Sequence, residues 1–144
     1  MEISYFESLT TAKKAYDQLL QPVCRKWGMT RNALDTLLFL GNNPGKDRAA
    51  DVVKHRGIAK SHVSAAVAEL EEGGFLQRQT DALDRRNARL VLTASGETVA
   101  EAGRQVQKMF FETIFAGLTQ EDFARWQHIM DTVTDNIDSL KRGL

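Results

Sequence analysis

Apolar residues recur along most of this chain at intervals of three and four. Leu9, Ala12, Tyr16, Leu19 and Val23 are spaced 3, 4, 3, 4 and line one face of a helix predicted over 5–27. Leu20, Cys24 and Trp27 widen that stripe, and Pro22 inside it is expected to kink the helix or start a new turn. Thr30 offers an N-cap for a short helix through Leu34, Leu37, Leu38 and Leu40. The run "GNNPG" at 41–45 ends it, because Gly and Asn accept left-handed backbone and Pro44 blocks continuation. Asp47 is expected to cap the next short helix, roughly 48–55.

A turn at Arg56-Gly57 then leads into "IAKSHVSAAVAELEEGGF". Val63, Ala66, Val67 and Leu70 form its apolar face, and Gly73-Gly74 stops the helix. Two short strands are predicted at about 75–79 and 88–93. The second contains "LVL", an unbroken apolar run that reads as a buried strand. Ser95 can cap a long helix to about Ala116, with Val99, Ala102, Val106, Met109, Phe110 and Ile114 as its stripe. Thr119 with Asp122 resembles a capping box. The last helix places Phe123, Trp126, Met130, Val133, Ile137 and Leu140 at 3, 4, 3, 4, 3, a continuous heptad seam. The order is four helices, a hairpin and two more helices, with no internal repeat.

The middle of this order is a helix-turn-helix followed at once by a hairpin. On the second helix Ser61, Ser64, Ala65 and Ala68 lie opposite the apolar face. Small side chains let a helix backbone approach another surface closely, and the DNA major groove admits a helix. Ser hydroxyls can meet bases or phosphates, and Ala65 can meet a thymine methyl. Lys60, Ser61 and His62 stand at the helix N-terminus, where free N–H groups and the dipole favour phosphate. An ordinary surface helix with a few small residues remains the alternative. The hairpin tip carries Asp84, Arg85 and Arg86, with Arg78 and Arg89 on the strands. Exposed arginines beside such a helix can reach a narrow minor groove, with Asp84 orienting one of them. A solvated, charged turn would look the same in sequence.

Composition changes this picture only in part. The 144 residues fit one domain with a real core, and 42% are apolar. Nineteen basic and nineteen acidic residues give no net charge, which argues against a general nucleic-acid binder. Residues 46–90 nevertheless hold nine Lys/Arg against seven Asp/Glu, while 91–144 hold five against eight. No apolar run spans a bilayer, the N-terminus lacks a secretory pattern, and Cys24 is the single cysteine, so a cytoplasmic location and no membrane association are expected. Cys24 falls on an apolar stripe, as a buried structural thiol does. His55, His62 and His128 have no metal-ligand spacing, and no Gly-rich phosphate loop or Ser/His/Asp set stands out, so neither a metal, a cofactor nor an enzyme is expected. Tyr16, Trp27, Phe110, Phe111 and Trp126 can line an effector pocket or serve as core and seam.

Lys60-Ser61-His62-Val63-Ser64, Leu70-Glu71-Glu72-Gly73-Gly74, Asp84-Arg85-Arg86 and Leu92-Thr93 together resemble the winged-helix core of the multiple-antibiotic-resistance regulator (MarR) family. The six-helix order and flanking heptads are also similar, so the resemblance spans nearly the whole chain. It implies a mainly α fold with a small β-hairpin wing. One domain over 1–144 would hold a winged helix-turn-helix at 30–93, flanked by dimerisation helices at 1–29 and 94–144. It implies a homodimeric regulator, usually a repressor, on pseudo-palindromic double-stranded DNA. Lys60, Ser61, His62, Ser64 and Ala65 would face the major groove. Arg86, with Arg85, would enter the minor groove or bind phosphate at its edge. A small aromatic or amphipathic effector is a further implication. A winged-helix protein-interaction scaffold that binds no DNA is the alternative, and the neutral charge keeps it open. Two positions depart from the family pattern. Ala59 leaves the second helix without its usual cap, and Arg56 ends the preceding helix where an apolar residue is usual. Arg56 is then either an extra phosphate contact or a sign of different packing.

Overall fold

The computed structural model describes residues 3–81 and 84–144, with the side chains of Ile3, Tyr5, Asp81, Asp84, Arg85 and Arg86 outside the described set. The elements follow the expected order: α1 (Ile3–Trp27), α2 (Arg31–Asn42), α3 (Ala49–Arg56), α4 (Lys60–Glu72), β1 (Leu76–Asp81), β2 (Asp84–Leu92), α5 (Ala94–Ile114) and α6 (Gln120–Arg142). This is a winged helix: mainly α, with one antiparallel two-stranded sheet. Contacts divide the chain into two units, Met1–Lys108 and Met109–Leu144, with the boundary inside α5.

The first unit holds the apolar core. Leu34, Leu37 and Leu38 of α2 meet Val52 of α3, Val63, Val67 and Leu70 of α4, Leu76 and Leu90 of the sheet, and Val99 of α5. Leu20, Val23 and Cys24 bring α1 to the same core. The helix of α1 runs through Pro22 to Trp27, so the expected new turn is absent. Its flanks pack at Leu20 and Val23, and this tertiary burial offsets the one hydrogen bond that proline cannot donate.

Helix ends are set by hydrogen bonds, several of them long-range. Thr30 caps α2 as expected, its Oγ1 accepting from the Ala33 N–H at 3.2 Å. Glu69 of α4 completes this cap by accepting from the Thr30 N–H and hydroxyl, both at 2.8 Å. Asp47 does not cap α3. The N-cap residue is Arg48, whose N–H donates to Asp51 Oδ2 at 3.1 Å, while the Asp47 carboxylate is taken by Arg89. Ser95 does not cap α5 either. Thr93 does, its Oγ1 accepting from the Gly96 N–H at 3.1 Å and donating to the Gly74 carbonyl at 2.7 Å. One hydroxyl thus starts α5 and pins the loop before β1.

Thr36 lies fully buried in α2, and its Oγ1 has no hydrogen-bond partner among the described residues. An unpaired buried hydroxyl costs desolvation without return. Thr36→Val should therefore stabilise the fold by about 1 kcal/mol, read as a higher midpoint in urea at unchanged slope. A lower midpoint would show that the hydroxyl is paired in solution.

In the second unit, the Thr119–Asp122 capping box forms as expected, with N–H···O distances of 3.0 and 3.1 Å. The Thr119 backbone N–H, and next its side chain, hold the Asp122 carboxyl below the ordinary aspartate range. Phe115 packs against Phe111, Phe123 and Trp126. Yet α6 buries no residue, and its heptad seam at Phe123, Trp126, Val133, Ile137 and Leu140 stays exposed.

Candidate nucleic-acid interface

The helix-turn-helix is α3 and α4, joined across Gly57, whose φ of 64° makes the left-handed turn that ends α3. Val63, Ala66, Val67 and Leu70 anchor α4 on the core. Burying those four fixes which side faces out. Lys60, Ser61, His62, Ser64, Ala65 and Ala68 are all exposed, so the predicted small face is presented to solvent intact. Ala59 makes no side-chain capping bond, which leaves the first N–H groups of α4 open to an outside acceptor.

The far end of α4 is tied down. Glu69 bonds to Thr30, and Glu71 Oε2 lies 3.3 Å from Arg78 Nε on β1. The wing then runs antiparallel in the register Leu76↔Leu92, Gln77↔Val91, Arg78↔Leu90 and Gln79↔Arg89, with an irregularity before Asp81↔Asp84. Its base is locked from outside the hairpin. The Leu90 N–H donates to the Asp47 carbonyl at 2.7 Å, Arg89 pairs with the Asp47 carboxylate at 2.8 Å, and the Arg48 guanidinium donates to the Asn87 carbonyl. Thr93 returns its N–H to Phe75 O at 3.1 Å. The backbone of Asp84, Arg85 and Arg86 begins β2, at the end of the hairpin remote from this base. Their side chains lie outside the described residues.

The arginines thus divide by partner. Arg78, Arg89 and Arg56 are each engaged by an acid, Glu71, Asp47 and Asp35 respectively. Lys54 of α3 and Lys60 of α4 have no ion-pair partner among the described residues. Both line a cavity of about 450 Å³ between α3, α4 and the wing, together with Val53, Ser64 and Leu90. Sequence reasoning missed Lys54, because nothing local marks which lysine of an exposed turn will share a concave surface with the second helix. The result is an exposed helix face of small side chains, flanked by two lysines with no ion-pair partner among the described residues and by a hairpin stiffened at its root.

The MarR family model matches residues 27–87, from the end of α1 through α2, α3, α4 and β1 into β2. The transcriptional regulator BilQ of Clostridium symbiosum is 24% identical over 125 residues, covering 85% of this chain and 84% of that protein. Over residues 27–87 the chain is similar to the MarR family. A MarR-family regulator from Listeria monocytogenes, solved with a 26mer DNA, superposes with a TM-score of 0.82 at 16% identity, covering 95% of this chain and 89% of that one. Bordetella bronchiseptica BpsR, solved in a study of how 6-hydroxynicotinic acid regulates its DNA binding, gives a TM-score of 0.69 at 20% identity over 91% of this chain and 98% of its own.

The matching family model and the similar solved structures are those of transcription regulators. Other candidate chemistry in the chain resolves into packing. Cys24 is buried, and burial pushes its thiol up from the ordinary cysteine value, with Arg31 offsetting part of that rise. His55 stacks on Phe39 with ring centroids 5.9 Å apart. Among the described residues no three His, Cys, Asp or Glu gather as a metal site. Tyr16 and Trp27 pack on the core of the first unit, while Phe111 and Trp126 join the aromatic cluster of the second. Among the described residues no helix is long and apolar enough to cross a membrane.

Proposed function

We propose that the protein is a homodimeric, cytoplasmic transcriptional repressor that reads a pseudo-palindromic operator. Lys60, Ser61, His62, Ser64 and Ala65 of α4 enter the major groove, and Arg86, with Arg85, takes the minor groove from the wing, oriented by Asp84. The observation that carries this reading is the exposed, small-residue face of α4, without a side-chain cap at its N-terminus and flanked by Lys54 and Lys60, which have no ion-pair partner among the described residues. Residues 30–93 form the DNA-reading core, and 1–29 with 94–144 hold two copies together. The exposed seam of α6, with Phe6 and Leu9 of α1, supports that division. A small aromatic or amphipathic molecule releases the DNA, a reading supported by regulation of BpsR by such a compound.

Two copies would meet half-sites about one helical turn apart, roughly 34–36 Å. Selection from a random duplex pool should therefore enrich a palindrome. Binding to it should weaken with salt at a log–log slope near −0.9 per phosphate neutralised. Absence of both enrichment and salt dependence would leave a protein-binding scaffold instead. Arg86→Ala should weaken operator binding by roughly 1–3 kcal/mol, measured by anisotropy at fixed salt. Unchanged affinity would remove the wing from the interface.

A further inference from the structure

The Arg56 guanidinium lies at the end of α3, next to the turn that delivers α4. Its Nη2 is 2.6 Å from Asp35 Oδ1 on α2. The same Asp35 oxygen is 4.0 Å from Arg31 Nη1, and Arg31 Nη2 is 3.1 Å from Asp17 on α1. The Tyr16 ring covers Arg31, with the guanidinium carbon 5.5 Å from its centroid. Four alternating charges therefore run from α1 through α2 to the last residue of α3. Asp35 is largely shielded, its side chain only 18% exposed, so its pairing is less screened than an ordinary surface pair. Arg56 and Asp35 also line a polar cleft of about 80 Å³ with Asn42 and Gln107. Gln107 there accepts from Asn42 at 3.0 Å and donates to the Tyr16 hydroxyl at 2.8 Å.

We propose that Arg56 is a positioning residue for DNA reading: held by Asp35, it fixes the end of α3 and thereby the start of α4, and it does not touch DNA. Only Gly57, Ile58 and Ala59 separate Arg56 from Lys60. Gly57 carries the left-handed turn, and Ala59 supplies no side-chain cap. Few local bonds thus set the angle at which α4 leaves the turn, and the Asp35–Arg56 link does so from outside. A cation at a helix C-terminus also suits the dipole there. A phosphate contact by Arg56 would first have to break the 2.6 Å pair. The charge therefore serves the head internally.

This inference rests on the operator reading above for one of its two readouts, and the other is independent of DNA. The variants are Arg56→Gln, Asp35→Asn and the double substitution, each checked for the wild-type circular dichroism spectrum. In the free protein, hydrogen exchange across 53–64 should quicken severalfold in both single variants and no further in the double. On an operator selected with the wild-type protein, both singles should bind roughly tenfold more weakly, with the double equal to either single. The salt slope should stay at the wild-type value in all three. A slope shallower by about 0.9 in Arg56→Gln would make Arg56 a direct phosphate contact and overturn the proposal. So would tighter binding by Asp35→Asn, the result expected if Asp35 merely withholds a cation from DNA. Unchanged exchange in Arg56→Gln would overturn it as well. A wild-type protein that selects no operator defeats the operator reading, while the exchange experiment still decides the positioning. Arg56 is exposed, so Arg56→Gln keeps the core, and its slope and exchange decide the matter even where Asp35→Asn does not fold.

Discussion

Trp126→Asp combined with Ile137→Asp should shift the proposed dimer in solution from twice the 16.1 kDa chain mass to once, and cost it the proposed operator binding. Both residues belong to the heptad seam of α6, at 39% and 48% exposure. A helix with a continuous apolar seam and no buried residue is stable in water only where something covers that seam. Both side chains are already more than half covered, so a second copy burying the rest of each would contribute roughly 1 kcal/mol. Replacing two positions in each of two chains by charges removes those contributions and adds four charges that pairing would have to desolvate. Binding follows by multivalency. Two linked heads meet two half-sites at an effective local concentration that raises avidity by roughly 10²–10⁴ over one head. A monomer with an intact α4 should lose that factor and keep a weak, salt-dependent affinity for one half-site. Light scattering after gel filtration gives the mass, and anisotropy gives the affinity. A double variant that stays at twice the chain mass would place the interface elsewhere. A monomer with wild-type affinity would dissociate pairing from operator reading.

The helices were legible because burial on one side imposes a period that survives in the sequence. Val63, Ala66, Val67 and Leu70 fix the orientation of α4 in the sequence, and its end at Glu72 follows from the Gly73-Gly74 pair. Local caps were legible for the same reason: Thr119 and Asp122 need only each other. What failed was chemistry whose partner is distant in sequence. Asp47 has the right side chain to cap α3, but Arg89, forty-two positions later, takes its carboxylate. Thr93 displaces Ser95 as the cap of α5 because its hydroxyl also reaches the Gly74 carbonyl. The charge of the candidate site was opaque in the same way. In sequence Arg78, Arg86 and Arg89 look alike, whereas in space Glu71 and Asp47 neutralise Arg78 and Arg89. Lys54 and Lys60 gain weight only once the acids are known to be spent elsewhere.

Gly96→Ala should destabilise the protein by about 3 kcal/mol, at the upper end for an overpacked site. A Cβ added at Gly96 would lie 2.1 Å from the Phe75 carbonyl oxygen and 3.1 Å from its carbonyl carbon. Those atoms are backbone, so no rotamer relieves the clash. That carbonyl oxygen already accepts the Thr93 N–H at 3.1 Å, which joins the wing root to α5. To admit a methyl group, α5 must move off the wing or the chain at Gly74-Phe75 must move away from Thr93, and either breaks the clamp described above. The opposing gain is the better helix propensity of Ala, about 1 kcal/mol over Gly. Gly103→Ala makes the natural control. Its Cβ would meet only side-chain atoms, Leu38 Cδ2 at 2.4 Å and Cδ1 at 3.0 Å, so a shift of that buried leucine can relieve part of the overlap and the propensity gain offsets part of the rest. Urea unfolding should accordingly rank wild type above Gly103→Ala and Gly103→Ala above Gly96→Ala. A Gly96→Ala midpoint at or above the wild-type value would mean that α5 and the wing root do not approach this closely. The anchorage of the wing would then need another source than Thr93.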